Sequence, residues 1–187
     1  MRYSFRRDTD YSNLPTDWIA LDTETGGLDA TKHALLSIAV WSPDYHDTWL
    51  TKPFGIAEPE ALRINGLSTK QCSLEGLQAG ECGERLLKAI AHKAIIGQNI
   101  GFDLGFIAHR VFGFAPDDAG MHLFKNWRLI DTCDMFKRLH PDEPRHLHEI
   151  AAFYGIEVPG EYHNALYDAE VTGRVFMAMA DEMNKTC

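Results

Sequence analysis

The sequence lacks the features of several protein classes. No apolar run approaches the roughly 20 residues that a membrane-spanning helix requires, so no membrane partner is expected. The stretch after Met1 (Arg-Tyr-Ser-Phe-Arg-Arg) has no apolar segment of the kind that a secretory signal carries, which predicts an intracellular, cytoplasmic protein. Internal repeats and low-complexity tracts are also absent.

Cysteine is scarce, and its spacing argues against the common cysteine-based sites. The chain has four cysteines, at positions 72, 82, 133 and 187. They form no C-x-x-C pair, and together with the histidines they match no zinc template. We therefore expect reduced thiols, with neither disulfides nor a site for a soft metal.

Basic residues are fewer than acidic residues in this chain. The chain has 18 Lys and Arg against 27 Asp and Glu, which gives a net charge of −9. A protein that coats duplex DNA is usually basic, so extensive neutralisation of phosphates is not expected here. An acidic chain can still bind the end of a nucleic acid where bound cations invert the local charge.

The order of predicted elements indicates one α/β or α+β domain. Residues 1–16 are polar and aperiodic and are predicted to form an N-terminal arm, whereas 17–187 has the length of a single domain. Strands are predicted at 17–24, 33–41, 48–54, 94–97 and 128–131. Helices are predicted at 59–64, 69–71, 83–92, 100–112, 132–139, 146–154 and 164–182. Strands that later alternate with helices are typical of a mixed sheet.

Two acids end the first predicted strand. Asp22 and Glu24 are two residues apart, so both side chains point to one face, with Thr23 on the other. Paired carboxylates repel each other and resist burial, so a solvent-facing strand end is the alternative interpretation. Because the pair comes just before Gly26-Gly27, at a strand end where sheet proteins place active sites, we favour a functional role.

A third acid lies in the segment N-I-G-F-D-L-G-F, residues 99–106. On a helix, Asn99, Asp103 and Phe106 would share a face, and Phe102 would neighbour Phe106. An acid flanked by phenylalanines is unusual for a plain solvated surface, although core packing is the alternative for each phenylalanine taken alone.

The last predicted helix offers two acids, Asp168 and Glu170. They lie about 200° apart around the helix axis. Asp168 borders the apolar face and is aligned with Thr172 and Val175, whereas Glu170 points to solvent. Helix phase therefore selects Asp168 as the functional acid.

A histidine precedes that acid by five residues. On a continuous helix His163 would lie about 140° from Asp168, so both reach one site only if His163 lies before the first turn. Asn164 is suited to be the N-cap, which places His163 on a loop. A neutral histidine there could accept a proton from a water molecule.

Four carboxylates from three separate elements suit hard divalent cations, which take oxygen ligands. Two such ions about 4 Å apart stabilise the attacking and leaving oxygens of an in-line phosphodiester displacement. The combination of Asp22, Glu24, Asp103, Asp168 and His163 therefore indicates metal-dependent phosphodiester hydrolysis.

These residues lie in three motifs that resemble those of the DEDDh, DnaQ-like 3′–5′ exonucleases. The motifs are D-T-E-T-G-G-L (22–28), N-x-x-F-D-x-x-F (99–106) and H-x-x-x-x-D (163–168), in the family's order, and the resemblance spans about residues 17–180. It implies a ribonuclease-H-like α/β fold with a central mixed sheet of about five strands flanked by helices. It also implies two Mg²⁺ or Mn²⁺ ions and release of 5′-mononucleotides from the 3′ end of single-stranded DNA or RNA.

The resemblance further implies a role for each matching residue. The metal ligands would be Asp22, Glu24, Asp103 and Asp168, with His163 as the general base. Contacts to the terminal nucleotides would come from Thr25, Leu28 (an apolar wedge), Asn65, Leu67, Asn99, Phe102 and Phe106. Many members carry histidine at the position of Asn65 and isoleucine at that of Leu67, and threonine is frequent at that of Gly26. These departures affect base contacts rather than the chemistry.

Three alternatives stay open. The substrate could be RNA, in RNA trimming or in degradation of short oligoribonucleotides, instead of DNA in repair or proofreading. The chain could be a non-catalytic binding or assembly module, although no ligand has been lost from the motifs. A metal phosphoesterase acting on small nucleotides is the third alternative. A homodimer or a polymerase partner is compatible with the resemblance.

Other polar residues are better explained by structure. Asp131 is predicted to cap the helix that begins at Thr132 rather than to bind metal. His140, His146 and His148 are predicted to be surface or core histidines, since 146 and 148 point apart on a helix.

Overall fold

The structure, a computed structural model, describes residues 3–157, 160 and 163–186. Its strands are β1 (Trp18–Thr25), β2 (Leu35–Ser42), β3 (Tyr45–Leu50), β4 (Ala94–Gly97) and β5 (Leu129–Asp131). Its α-helices are α1 (Pro59–Asn65), α2 (Thr69–Glu75), α3 (Ala79–Ala89), α4 (Gly101–Phe106), α5 (Thr132–Leu139), α6 (Leu147–Phe153) and α7 (Ala165–Thr186).

The strands form one mixed sheet in the order β3-β2-β1-β4-β5. β1 pairs antiparallel with β2 and parallel with β4, so the predicted mixed sheet of about five strands is confirmed. Asp22 lies opposite Ala39 and Glu24 lies opposite Ser37. The pairing slips by one residue between Glu24 and Thr25, a bulge that bends the strand end where the acids lie.

The two faces of β1 are buried in different layers. Ile19 and Leu21 belong to the apolar core that includes residues of α3 and α4. Ala20, on the other face, belongs to the core that includes Phe136 of α5 and Phe176 of α7. Since side chains alternate along a strand, Asp22 and Glu24 project toward the α7 layer, and Thr23 projects toward the α4 layer.

Helix α7 lies directly on the sheet. Gly173 permits this approach, because a Cβ added there would come within 2.6 Å of Trp41 on β2. The backbone N–H groups of Leu166 and Tyr167 donate to the Asn164 Oδ1, so the predicted N-cap is confirmed. Among the described residues, no helix combines the length and apolar character that crossing a lipid bilayer requires.

Several element boundaries differ from those predicted. Strand β3 starts at Tyr45 and ends at Leu50, not at the predicted 48 and 54. The predicted helix 100–112 is α4 followed by a π-helical turn, Ile107–Val111. The segment 113–126, where neither a strand nor a helix was predicted, contains the 3-10 helix Ala119–Asn126. Residue propensities predict the ends of short helices and strands poorly, because these ends depend on contacts with neighbouring parts of the fold.

The predicted N-terminal arm contains no helix or strand over its described residues, 3–16, but it packs against the domain. Its Asp8 backbone N–H donates to the Leu129 carbonyl at 2.6 Å, which covers the free edge of β5. The Asp8 carboxylate also pairs with Arg128 at 2.8 Å. Tyr11 is only 5% exposed and contributes to the core. The arm is therefore joined to the edge of the sheet.

Candidate metal and substrate site

Three of the four predicted acids converge at the end of β1. Carboxylate oxygens of Asp22, Glu24 and Asp168 all lie within 4.8 Å of one another, and each residue is half-buried. The strand supplies the first two on one face, and the first turn of α7 supplies the third from the layer above that face. Glu170, rejected on helix phase, forms an ion pair with Arg174 instead.

Crowding and burial disfavour the ionised forms of these acids. Burial, together with the charges of Asp103, Asp168 and Glu24, holds the pKa of Asp22 well above its usual range. Burial and the charges of Asp168 and Asp103 raise the pKa of Glu24 to about 8. Burial also raises the pKa of Asp168 to about 6. A site of this kind is stabilised by added positive charge.

Asp103 approaches from the opposite layer. It is only 3% exposed on α4, and its Oδ1 accepts a 2.7 Å hydrogen bond from the Thr23 hydroxyl. Its partner Thr23 lies between Asp22 and Glu24 in β1, and the charge of Asp103 raises the pKa values of both acids. Burial raises its own pKa to about 7, against the lowering effect of the Thr23 bond. Its carboxylate is not part of the three-oxygen cluster, and its role as a ligand stays a prediction.

The donor set fits hard divalent cations. Oxygen ligands from Asp22, Glu24 and Asp168 match the preference of Mg²⁺ and Mn²⁺, and no cysteine belongs to the cluster. The Asp168 Oδ1 is buried and accepts no hydrogen bond from the described residues. A buried carboxylate oxygen without a donor is costly unless a cation or water occupies the space beside it.

His163 lies beside the acids but not among them. Its φ of +67° places it in the left-handed region, before α7, as the predicted loop position requires. Its backbone N–H donates to the Asp168 Oδ2 at 3.0 Å. The residue is exposed and lines a neighbouring cleft of about 510 Å³ together with Asn65 and Tyr167. Its role as a base stays a prediction.

A larger cleft, of about 640 Å³, is lined by many of the residues predicted to contact nucleotides. Leu28 is 86% exposed at its rim. Phe102 and Phe106 form an aromatic pair with ring centroids 5.1 Å apart. Phe106 is only 1% exposed, so it supports Phe102 from the core and offers little surface of its own. These positions are compatible with the predicted contacts.

The backbone of Asn99 is held by Asp131, which was predicted only to cap a helix. Its φ is +54° and α4 begins only at Gly101, so the prediction that Asn99 shares a helix face with Asp103 is wrong. Its backbone N–H donates to the Asp131 Oδ1, which also accepts from the Cys133 N–H at the start of α5. The predicted capping role of Asp131 is thus confirmed, and this buried side chain also shapes the cleft.

The other predicted substrate residues are held by bonds within the protein. The Thr25 hydroxyl donates to the Gly27 carbonyl at 2.8 Å. The Asn65 Nδ2 donates to the Thr25 carbonyl at 3.3 Å, and its Oδ1 accepts from the Leu67 N–H. Leu67 packs against a small apolar cluster that includes Leu36. Asn65 therefore ties the end of α1 to β1, and nucleotide contacts by these residues stay predictions.

Two residues at the site were missed by sequence reasoning. Tyr3 of the N-terminal arm lines the cleft with Phe102, although its segment has no periodic pattern that would signal a contact. Thr23 lies on the face of β1 away from Asp22, yet it holds Asp103. Its position between two acids of one motif was the only available signal.

Solved structures with the same fold include nucleases. Exonuclease X, solved in complex with 5′ overhanging duplex DNA, has 21% identity to this chain and a TM-score of 0.65, covering 90% of this chain and 92% of that one. E. coli Exonuclease I, solved in complex with a dT13 oligonucleotide, has 18% identity and a TM-score of 0.71, covering 92% of this chain and 42% of that one. These likenesses confirm the predicted ribonuclease-H-like fold.

Sequence comparison identifies the family. A PolC-type DNA polymerase III of Staphylococcus aureus is 30% identical over 93 residues, which are 48% of this chain and only 6% of that polymerase. The exonuclease family RNase_T matches residues 19–176, which contain all three motifs. The resemblance to the DEDDh, DnaQ-like exonucleases is thereby confirmed. The chain belongs to this exonuclease family.

Proposed function

We propose that this protein is a 3′–5′ exonuclease that releases 5′-mononucleotides from single-stranded 3′ ends by two-metal-ion hydrolysis. The observation that carries the proposal is the convergence of the Asp22, Glu24 and Asp168 carboxylates within 4.8 Å, with the buried Asp168 Oδ1 lacking a donor among the described residues. The match of the exonuclease family over residues 19–176 supports it.

Asp22, Glu24 and Asp168 would hold two Mg²⁺ or Mn²⁺ ions, with Asp103 completing the set. When bound, these ions supply positive charge that stabilises the attacking and leaving oxygens of the phosphodiester. The protein contributes rigidity: β1 is central in the sheet, and the Thr23 hydroxyl holds the Asp103 carboxylate in one orientation.

His163 would accept the proton of the attacking water. A neutral imidazole has a ring nitrogen that can accept a proton, which suits a histidine to act as a general base. The hydrogen bond from its backbone to Asp168 keeps its loop next to the acids. Its exposed side chain in the neighbouring cleft has room to approach a substrate.

The cleft beside the acids would receive the last nucleotides of the strand. Leu28 projects almost fully into solvent at its rim, and Phe102 offers a ring to a base. Aromatic stacking accepts any base, so the cleft would degrade strands with little sequence preference. The DNA in the Exonuclease X and Exonuclease I complexes supports a DNA strand as substrate. The likeness to part of a polymerase supports a polymerase partner as one context for the activity.

The test is degradation of labelled oligonucleotides of DNA and of RNA, side by side. With Mg²⁺, a 5′-labelled strand should give a ladder that shortens from its 3′ end, and EDTA should abolish it. Glu24→Gln should remove the activity, whereas the matched Glu170→Gln, outside the cluster, should retain it. Absence of a ladder with both polymers, or release of label from the 5′ end first, would contradict the proposal. Cleavage confined to mononucleotides or dinucleotides would favour a small-nucleotide phosphoesterase.

A further inference from the structure

We propose that Tyr3, in the N-terminal arm, is a nucleobase-stacking residue that completes the substrate cleft. The inference rests on the proposed function in one respect, namely that the ligand of this cleft is a nucleic-acid strand. Tyr3 forms one wall of the cleft, which neither the sheet nor α4 supplies. The residue lies outside 19–176, the range that the exonuclease family covers.

The Tyr3 ring lies against the backbone of α4. A Cβ added at Gly105 would come 3.3 Å from the Tyr3 Cδ2, so the absence of a side chain at Gly105 allows this contact. Gly101, one turn earlier, also lines the cleft, and a Cβ added there would meet nothing within 4 Å, so this part of the cleft is open. The cleft is thus lined by aromatic rings from two segments far apart in sequence, Tyr3 and Phe102.

The ring is held in place before any ligand binds. The Tyr3 hydroxyl donates to the Phe114 carbonyl at 2.6 Å and lies 2.8 Å from the His109 Nδ1. Its ring is parallel to that of Phe5, at a centroid distance of 6.2 Å, and Phe5 packs edge-on against Phe124. A side chain ordered in advance loses little conformational entropy on binding, which favours a role in recognition.

The chemistry of the cleft favours bases over phosphates. No lysine or arginine is found among the described residues that line it. Tyr3, Leu28 and Phe102 instead present apolar or aromatic surface, on which the π-face of any base can stack. The bases of the strand would therefore turn into this cleft while the scissile phosphate lies at the acids.

The first experiment measures binding without hydrolysis. Fluorescence anisotropy of a fluorescein-labelled single-stranded oligodeoxynucleotide, with Ca²⁺ in place of Mg²⁺, gives the Kd of each variant. Tyr3→Ala should weaken binding about 5- to 150-fold, the range expected for loss of one stacked base. Tyr3→Phe retains the ring and should lose less. Equal affinity of Tyr3→Ala and the unaltered protein would overturn the proposal.

A second measurement separates stacking from a structural role of the arm. An abasic residue is placed in turn at each position near the 3′ end of the strand. At one position, the abasic residue should weaken binding to the unaltered protein. The same abasic residue should weaken binding to Tyr3→Ala only slightly further, because the contact with the Tyr3 ring is already lost in that variant. Losses that are equal in both proteins at every position would overturn stacking by Tyr3.

The unaltered protein allows a test that does not depend on the fold of a variant. A strand carrying iodouracil at the position identified by the abasic scan should crosslink to Tyr3 under ultraviolet light, as mapped by mass spectrometry. Crosslinks only elsewhere would overturn the proposal. Binding and crosslinking in Ca²⁺ without any Mg²⁺-dependent ladder would leave this inference standing and refute the proposed function.

Discussion

Asp168 accepts a 3.0 Å hydrogen bond from the backbone N–H of His163 through its Oδ2, while its buried Oδ1 faces no donor among the described residues. One carboxylate thus positions the histidine loop and contributes to the acid cluster. The φ of +67° at His163 is uncommon for a residue with a side chain, and this bond helps to maintain it.

His163→Asn tests the histidine with the least disturbance of the loop. Asparagine tolerates the left-handed conformation and keeps the backbone N–H that donates to Asp168, but it has no ring nitrogen to accept a proton. We expect kcat to fall about 10²- to 10⁴-fold with little change in KM, measured by oligonucleotide degradation. His46→Ala, at an exposed position on β3, is the control. Full turnover by His163→Asn would exclude His163 as the base.

Glu24→Gln should make the metal-free protein more stable although it is inactive. At a pH above about 8, where Glu24 is ionised, the neutral amide removes one of several crowded negative charges around Asp22, and burial of an amide costs less than burial of a carboxylate. We expect the Tm in EDTA to rise by a few degrees, since about 1 kcal/mol corresponds to roughly 2–4 °C at this size. Added Mg²⁺ should raise the Tm of this variant less than that of the unaltered protein. Glu170→Gln, which loses an ion pair with Arg174, should not gain stability in EDTA.

The metal-free protein should lose stability as the pH rises. The pKa of Asp168 is raised to about 6 and that of Glu24 to about 8 in the folded state. A group whose pKa is raised in the folded state makes its full contribution to stability at pH values below its ordinary pKa. That contribution is lost as the pH rises through the pKa of the folded state. The Tm in EDTA should therefore fall between pH values of about 5 and 8. Mg²⁺ should raise the Tm more at the upper end of this window, where bound protons no longer compete with it. A Tm that is constant in EDTA would contradict this prediction.

Gly173→Ala should weaken the contact between α7 and the sheet. The new methyl group would meet Trp41 at 2.6 Å and Trp18 at 3.2 Å, so the helix or the rings must shift. We expect a loss of about 1–3 kcal/mol in the free energy of unfolding, measured with urea. Gly80→Ala in α3 is the matched control, because nothing lies within 4 Å of a Cβ there. This control should be neutral or gain about 0.5–1 kcal/mol. Equal stabilities would show that the contact is adaptable.

Much of the site was predictable from local periodicity. The strand period of two places Asp22 and Glu24 on one face, and the structure brings both to Asp168. Helix phase separates Asp168 from Glu170, which pairs with Arg174. Asn164 caps α7 and leaves His163 before the helix. These relationships follow from backbone geometry within a few residues, which the sequence alone determines.

Other features depend on contacts between distant segments, and only the tertiary structure decided them. Asp103 binds Thr23 from the layer opposite α7, because α4 packs on the other face of β1. The arm joins the edge of the sheet at Leu129 and brings Tyr3 to the cleft, although its own sequence is aperiodic. Contacts of this kind depend on which surfaces are still exposed after the sheet and helices have packed together. A local sequence pattern does not contain that information.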